Sequence, residues 1–234
     1  MLKKLLILSL LLVASISYGQ KEKVLNLPSF DKPLFHYGFY LGLNTNGYKI
    51  AYRPNNATST PNIEVESSIG FNVGLIGDLR LHNNVNLRFE PGLISNTKTL
   101  RFKHINSTNE NITTREVDAT FLHLPFILKV SANRLNNIRP YVLAGVSYDY
   151  NFSSNENNSD DNAAGKFRTK TSNFMYEVGI GMDFYLTYFK FSPSIRGIFA
   201  LNNEVTYDNS IDSQWTAPID FLGTRGIFLH LSFE

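Results

Sequence analysis

Hydrophobic residues recur at every second position over much of this chain, with small or charged residues between them. Between 65 and 81, Ile69, Phe71, Val73, Leu75, Leu79 and Leu81 fall on one face, and Ser68, Gly70, Asn72, Gly74, Asp78 and Arg80 on the other. Successive side chains of a strand point to opposite sides, so this period predicts a long strand with one greasy face. The same alternation returns over 36–44, 85–94, 120–130, 139–152, 173–186, 188–201 and 225–233. Eight strands follow, an even number and the smallest common size of a bacterial outer-membrane barrel. Three connections are short: His82 to Asn84, Ser131 to Ile138, and the turn around Thr187. The others, roughly 45–66, 103–116, 153–172 and 202–224, are long and polar. Short turns alternating with long loops predict an all-β, antiparallel up-and-down transmembrane barrel with both termini in the periplasm.

A soluble barrel of the lipocalin kind, greasy face inward, would share the alternation. Volume separates the two. Roughly forty large apolar side chains lie on the greasy face, whereas eight strands enclose a space that modest side chains already fill. The greasy face therefore points out to lipid, and the small and charged face fills the lumen. That face carries Asp78, Arg80, Arg88, Glu90, Lys129, Arg139, Asp149, Glu177, Asp183, Lys190 and Arg196. Unpaired buried charge is costly, so these eleven are expected to form a structural network of ion pairs across the lumen. Tyr37, Phe102, Tyr148, Tyr150, Phe152, Phe174, Tyr185, Tyr188 and Phe189 near strand ends suit interfacial girdles.

The first residues change the picture of location. Lys3 and Lys4 precede the apolar run Leu5 to Val13, and Ser17 and Gly19 are the small residues of a cleavage site. The pattern predicts a secretory signal over 1–19, a periplasmic segment over 20–35, and a barrel over 36–234. Charge adds one exclusion. The formal net charge is +2, and without Lys3 and Lys4 the basic and acidic counts balance at 20 each. A neutral chain has no broad grip on nucleic acid. Cysteine is absent, which removes disulfides, thiolate metal sites and cysteine nucleophiles.

Candidate chemistry is sparse. No phosphate-binding loop is present, and no cofactor or metal is expected. His230 and Ser232, two apart on one strand face, have the spacing of a nucleophile and its base, but packing within the lumen accounts for them better. Asp160, Asp161 and Glu156 could hold a hard cation, since carboxylate clusters do so, but a solvated loop explains them better.

Several strings are more specific. VESSIGFNVGLIGDLR (65–80), NLRFEPGL (86–93), RPYVLAGVSYDYNFSSNE (139–156), FYLTYFKFSPSIRGIFALNNE (184–204) and RGIF (225–228) together resemble the PorT family of Bacteroidota outer-membrane barrels. The resemblance implies a non-enzymatic role in type IX protein secretion, and in gliding motility where that exists. It implies partners among the other secretion components, besides outer-membrane lipid. Because a barrel this narrow cannot conduct a folded protein, the implied role is accessory or in assembly. Docking could use the rim, the lipid face or the segment Lys21 to Lys32; the loop 153–165 is a candidate exposed contact, though an unstructured solvated loop explains it better. A structural or adhesive barrel and a lipid-modifying barrel enzyme are the alternatives.

Overall fold

The computed structural model describes residues 24–54, 62–161 and 165–234. The expected signal segment 1–19, and with it Lys21, Glu22 and Lys23, lies outside the described residues. Ten strand segments are present among the described residues: β1 (Phe35–Tyr52), β2 (Ile63–Ser67), β3 (Ile69–His82), β4 (Val85–Phe89), β5 (Gly92–Phe102), β6 (Thr114–Ser131), β7 (Ile138–Asn151), β8 (Ser172–Tyr185), β9 (Lys190–Ala200) and β10 (Ile219–Phe233). Every pairing is antiparallel. β1 pairs with both β10 and β3, which closes the sheet into an eight-membered ring. The count is ten because two strands are interrupted. Ser68 separates β2 from β3, its hydroxyl bonding the Thr97 carbonyl at 2.6 Å. Pro91, which has no N–H for a ladder, separates β4 from β5.

Closure removes free edges where no water can satisfy them. The ring's outer face is apolar over a broad belt. Tyr37, Leu41, Leu43, Ile69, Phe71, Leu75, Val142, Ile180, Ile195 and Ile227 are all exposed on it. A continuous greasy surface of this size is stable only when covered, and hydrocarbon is the cover that a closed ring fits.

The greasy face does not run the full length of the strands. Across β1, β10 and β9 the outward rows run Leu43–Leu229–Ile195, then Thr45–Ile227–Gly197, then Gly47–Arg225–Phe199, with Lys49 and Gly223 beyond. Across β5 and β6 they run Leu93–Leu122, Ser95–Thr120, Thr97–Asp118 and Thr99–Glu116. At the same height the inward face turns apolar. Tyr48, Ile63, Leu100, Phe102, Val117, Phe167, Val205, Trp215, Ile219 and Leu222 form one buried cluster. The wall therefore continues past the belt as a water-facing cap with an ordinary hydrophobic core.

This inversion corrects several expectations. The segments read as loops over 45–66 and 202–224 contain the ends of β1 and β10 and all of β2 but Ser67, and β5 and β6 extend into the region above the belt. Alternation on a single greasy face cannot register a strand whose faces exchange polarity partway. For the same reason Phe102 is no girdle residue: it is fully buried in the cap. Tyr185 also points inward, whereas Tyr37, Tyr150, Phe152, Phe174, Tyr188 and Phe189 are exposed as expected.

Leu75 sits at the middle of the belt and Thr99 above it. Leu75→Arg is expected to lower folding stability in phospholipid vesicles by ~2–4 kcal/mol, and Thr99→Arg by less than about 1 kcal/mol, as measured by urea titration. Equal costs would contradict the position of the boundary.

Candidate functional site

The lumen is the chemically dense part of the molecule. Tyr40 stands inside it because Gly74 and Gly92 on the facing strands leave space: a Cβ at Gly92 would lie 2.0 Å from the Tyr40 hydroxyl. Its ring stacks on His230 at 4.6 Å. From the short-turn end inward, the charged side chains form one linked chain and one separate pair. Lys190 Nζ and Arg88 Nη2 each reach the Glu234 carboxylate at 2.9 Å. Arg88 Nε also lies 3.3 Å from Asp78 and 3.1 Å from Glu90. Arg196 donates to Glu90 at 2.6 Å and lies 3.8 Å from Glu177. Lys129 grips both oxygens of Asp183, at 2.8 and 2.9 Å, with its ammonium 4.0 Å over the Tyr141 ring. His123 bridges Asp149 at 2.7 Å and Glu177 at 2.9 Å through its two ring nitrogens, a geometry that suits a proton on each.

Of the eleven expected charges, Asp78, Arg88, Glu90, Asp149, Glu177, Lys190 and Arg196 meet in the linked chain, and Lys129 and Asp183 form the separate pair. Arg139 and Arg80 do neither. They stand at the short-turn mouth, where Arg139 lies 3.4 Å from Asp31 and Arg80 bonds the Asp31 carbonyl. Asp31 belongs to the segment preceding β1, and Tyr185 donates to it at 2.8 Å. That segment is tied down further: Asn26 bonds Asn137 and the Tyr185 carbonyl, and Lys190 sits 4.7 Å over the Phe30 ring. Two members of the network, Glu234 and His123, and Asp31 at the mouth were absent from the sequence-based set. Glu234 and His123 fall on the lumen face by alternation, so their register could have found them. Asp31 lies outside any strand and carries no such signal.

Above the charges an apolar layer crosses the lumen, made of Ile94, Ala119, Phe121, Met175, Ile198 and Phe228. Arg88 and Arg196 are 0% exposed and Glu90 is 1% exposed. A water-wide passage would leave them accessible, so among the described residues the bore is closed at this level. His230 and Ser232 do share the lumen face, but no hydrogen bond joins them and both are buried.

The cap has its own polar anchors. Lys98 donates to Thr224 at 3.1 Å, and its ammonium sits 4.0 Å from the Tyr48 ring. Glu204 accepts from the Thr224 hydroxyl and N–H, both at 2.8 Å. A one-turn helix, α1 (Glu110–Thr113), accepts the Trp215 indole N–H at the Ile112 carbonyl, and Arg115 stacks 4.9 Å over that indole. Asp161, expected in a solvated loop, is instead buried, 3.5 Å from Arg168, which also lies 3.2 Å from Asp208. Burial, with Asp208 adding repulsion, pushes the Asp161 carboxyl up to about 7. Glu156 goes the other way, held below the usual carboxylate range by the Thr171 N–H at 2.8 Å. Asp161 and Glu156 therefore take separate hydrogen-bonding roles.

The family described as "Outer membrane protein beta-barrel domain" matches this chain over residues 19–206. Among solved structures, the chain is similar to the outer membrane protein OprG of Pseudomonas aeruginosa at 12% identity and TM-score 0.45, covering 85% of this chain and 91% of that one. It is similar to AlkL at 13% identity and TM-score 0.45, covering 84% and 87% respectively. A third likeness is to Ail, the attachment invasion locus protein of Yersinia pestis, solved with the heparin analogue sucrose octasulfate; identity is 13%, TM-score 0.37, and coverage 84% and 96%. No curated protein matches the chain.

Removing one partner of a buried pair strands the other. Lys129→Met is expected to cost ~3–5 kcal/mol, and adding Asp183→Asn to recover a large part of it, measured as a double-mutant cycle by urea unfolding in vesicles. In the cap, folded Asp161 keeps a proton that the unfolded chain has already released. Its stabilisation is therefore present at acidic pH and is lost as pH climbs through about 7. Hydrogen exchange of the described 153–170 backbone should be slower at pH 5 than at pH 8 beyond the intrinsic pH effect, and Asp161→Asn should flatten that difference.

Proposed function

Because the chain belongs to the outer-membrane β-barrel family, we propose that it works through its surfaces rather than its bore, as a non-enzymatic accessory or assembly component of type IX protein secretion. The observation that carries this reading is the closed lumen. Charges that are 0–1% exposed beneath an apolar layer leave no path for cargo or solute. Resemblance of the strand strings to the PorT family supplies the pathway. In this reading both termini face the periplasm and the cap stands at the cell surface. The tied-down segment Val24 to Leu34 and the loop 153–165 offer contacts on the two sides. Catalysis by His230 and Ser232 is disfavoured, since substrate cannot reach residues only 1% and 0% exposed.

A structural or adhesive barrel is the second reading, favoured by the cap, which raises a folded polar surface above the belt. Deleting the gene in a host with type IX secretion separates the two. The secretion reading expects cargo bearing a C-terminal sorting domain to be retained in the cell, with release restored by the intact gene. Normal release with altered surface attachment would replace it by the adhesive reading. Independently, the purified barrel in planar bilayers is expected to give no steady conductance, and a porin-like step would overturn the closed-bore premise.

A further inference from the structure

One feature of the outer surface serves neither the lumen nor the cap core. β1 pairs with β3 only as far as Thr45–Ile69; beyond that β1 follows β10 to Tyr52 and β2 follows β5, and no ladder joins β1 to β2. From this seam a groove of about 500 Å³ runs outward across β1 and β10 to β9. Its floor is low because Gly47 and Gly197 present no side chains, and Ile227 and Phe199 line it with apolar surface. Four strands at ~4.8 Å spacing give it a span of about 14 Å.

The groove lies in the rows where the greasy belt ends. Arg225 stands in it, exposed, on the first fully outward row above Ile227. Lateral neighbours Gly47 and Phe199 offer it no acceptor, and it has no hydrogen-bond or ion-pair partner among the described residues. Other outward cations near this end behave differently. Arg101 is paired with Glu66 at 2.7 Å and Lys103 with Glu64 at 2.7 Å. Lys49, exposed on the next row, adds a second cation. A guanidinium at the margin of hydrocarbon, above an apolar trough continuous with the lipid-facing belt, matches one chemistry: a phosphate headgroup with its acyl chain lying below.

We propose that the Arg225 groove is a specific site for a phosphate-bearing lipid of the leaflet at the long-loop end, with the phosphate on Arg225 and Lys49 and an acyl chain over Gly197 against Ile227 and Phe199. The inference rests on the membrane reading of the belt, which is tested separately by whether the protein folds into vesicles at all.

The test is native mass spectrometry of the full folded barrel released from detergent, with three probes at one concentration: diphosphoryl lipid A, its dephosphorylated counterpart, and inorganic phosphate. The expected result is a single retained adduct of the phosphorylated lipid, favoured about tenfold or more over the dephosphorylated one. Arg225→Gln should abolish that preference, and Arg101→Gln should leave it intact. Gly197→Leu, which fills the groove, should weaken retention while leaving Arg225 in place; if that variant fails to fold, Ile227→Ser reads the same contact. Undiminished lipid preference in Arg225→Gln would overturn the proposal. So would equal retention of inorganic phosphate, which would mark an anion site without an acyl groove.

Discussion

Hydrocarbon around the middle of this molecule is the constraint on which the rest depends. It offers no hydrogen bonds, so every backbone group in the belt must be satisfied within the wall, and only a closed ring does that with strands. It also reverses the usual sense of inside and outside. Leu, Ile and Phe face out, and the polar side chains have nowhere to go but the lumen. With eight strands that lumen is narrow, so charges placed there are dehydrated and must satisfy one another.

The network meets this demand by sharing. Arg88 serves Asp78, Glu90 and Glu234, and Arg196 joins Glu90 to Glu177. His123 closes the chain between Glu177 and Asp149. Buried ion pairs are weak sources of net stability compared with well-packed apolar residues. Their effect is selective: a slip of one residue in strand register would carry these charges into lipid and the leucines into the lumen. The cross-lumen pairs thus oppose every register but one, which suits a ring whose outer face offers lipid little to discriminate.

Above the belt, water returns and the ordinary rule returns with it. The same strands, without interruption, place Tyr48, Leu100 and Leu222 inward and Lys49, Thr99 and Arg225 outward. The cap is therefore a small water-facing domain built on the rim of a membrane protein, with Trp215 in its apolar cluster held by α1 and Arg115. The seam between β1 and β2 lies where the two regimes meet, and so does the unpaired Arg225.

Period-two alternation by itself determined the ring: its eight antiparallel strands and its greasy outer face. Those features depend on chemistry repeated at every second residue, and nine of the eleven named charges are paired within the lumen. Arg80 and Arg139 stand instead at the mouth with Asp31, a height along the barrel axis that follows from strand tilt and turn position. The cap, the partner of each charge and the groove at Arg225 were decided only by the tertiary structure. Where a face changes polarity midway along a strand, the local pattern reads as irregular. Which residues meet across a lumen or along a seam depends on the ring closing in one register, and no short stretch of sequence carries that information.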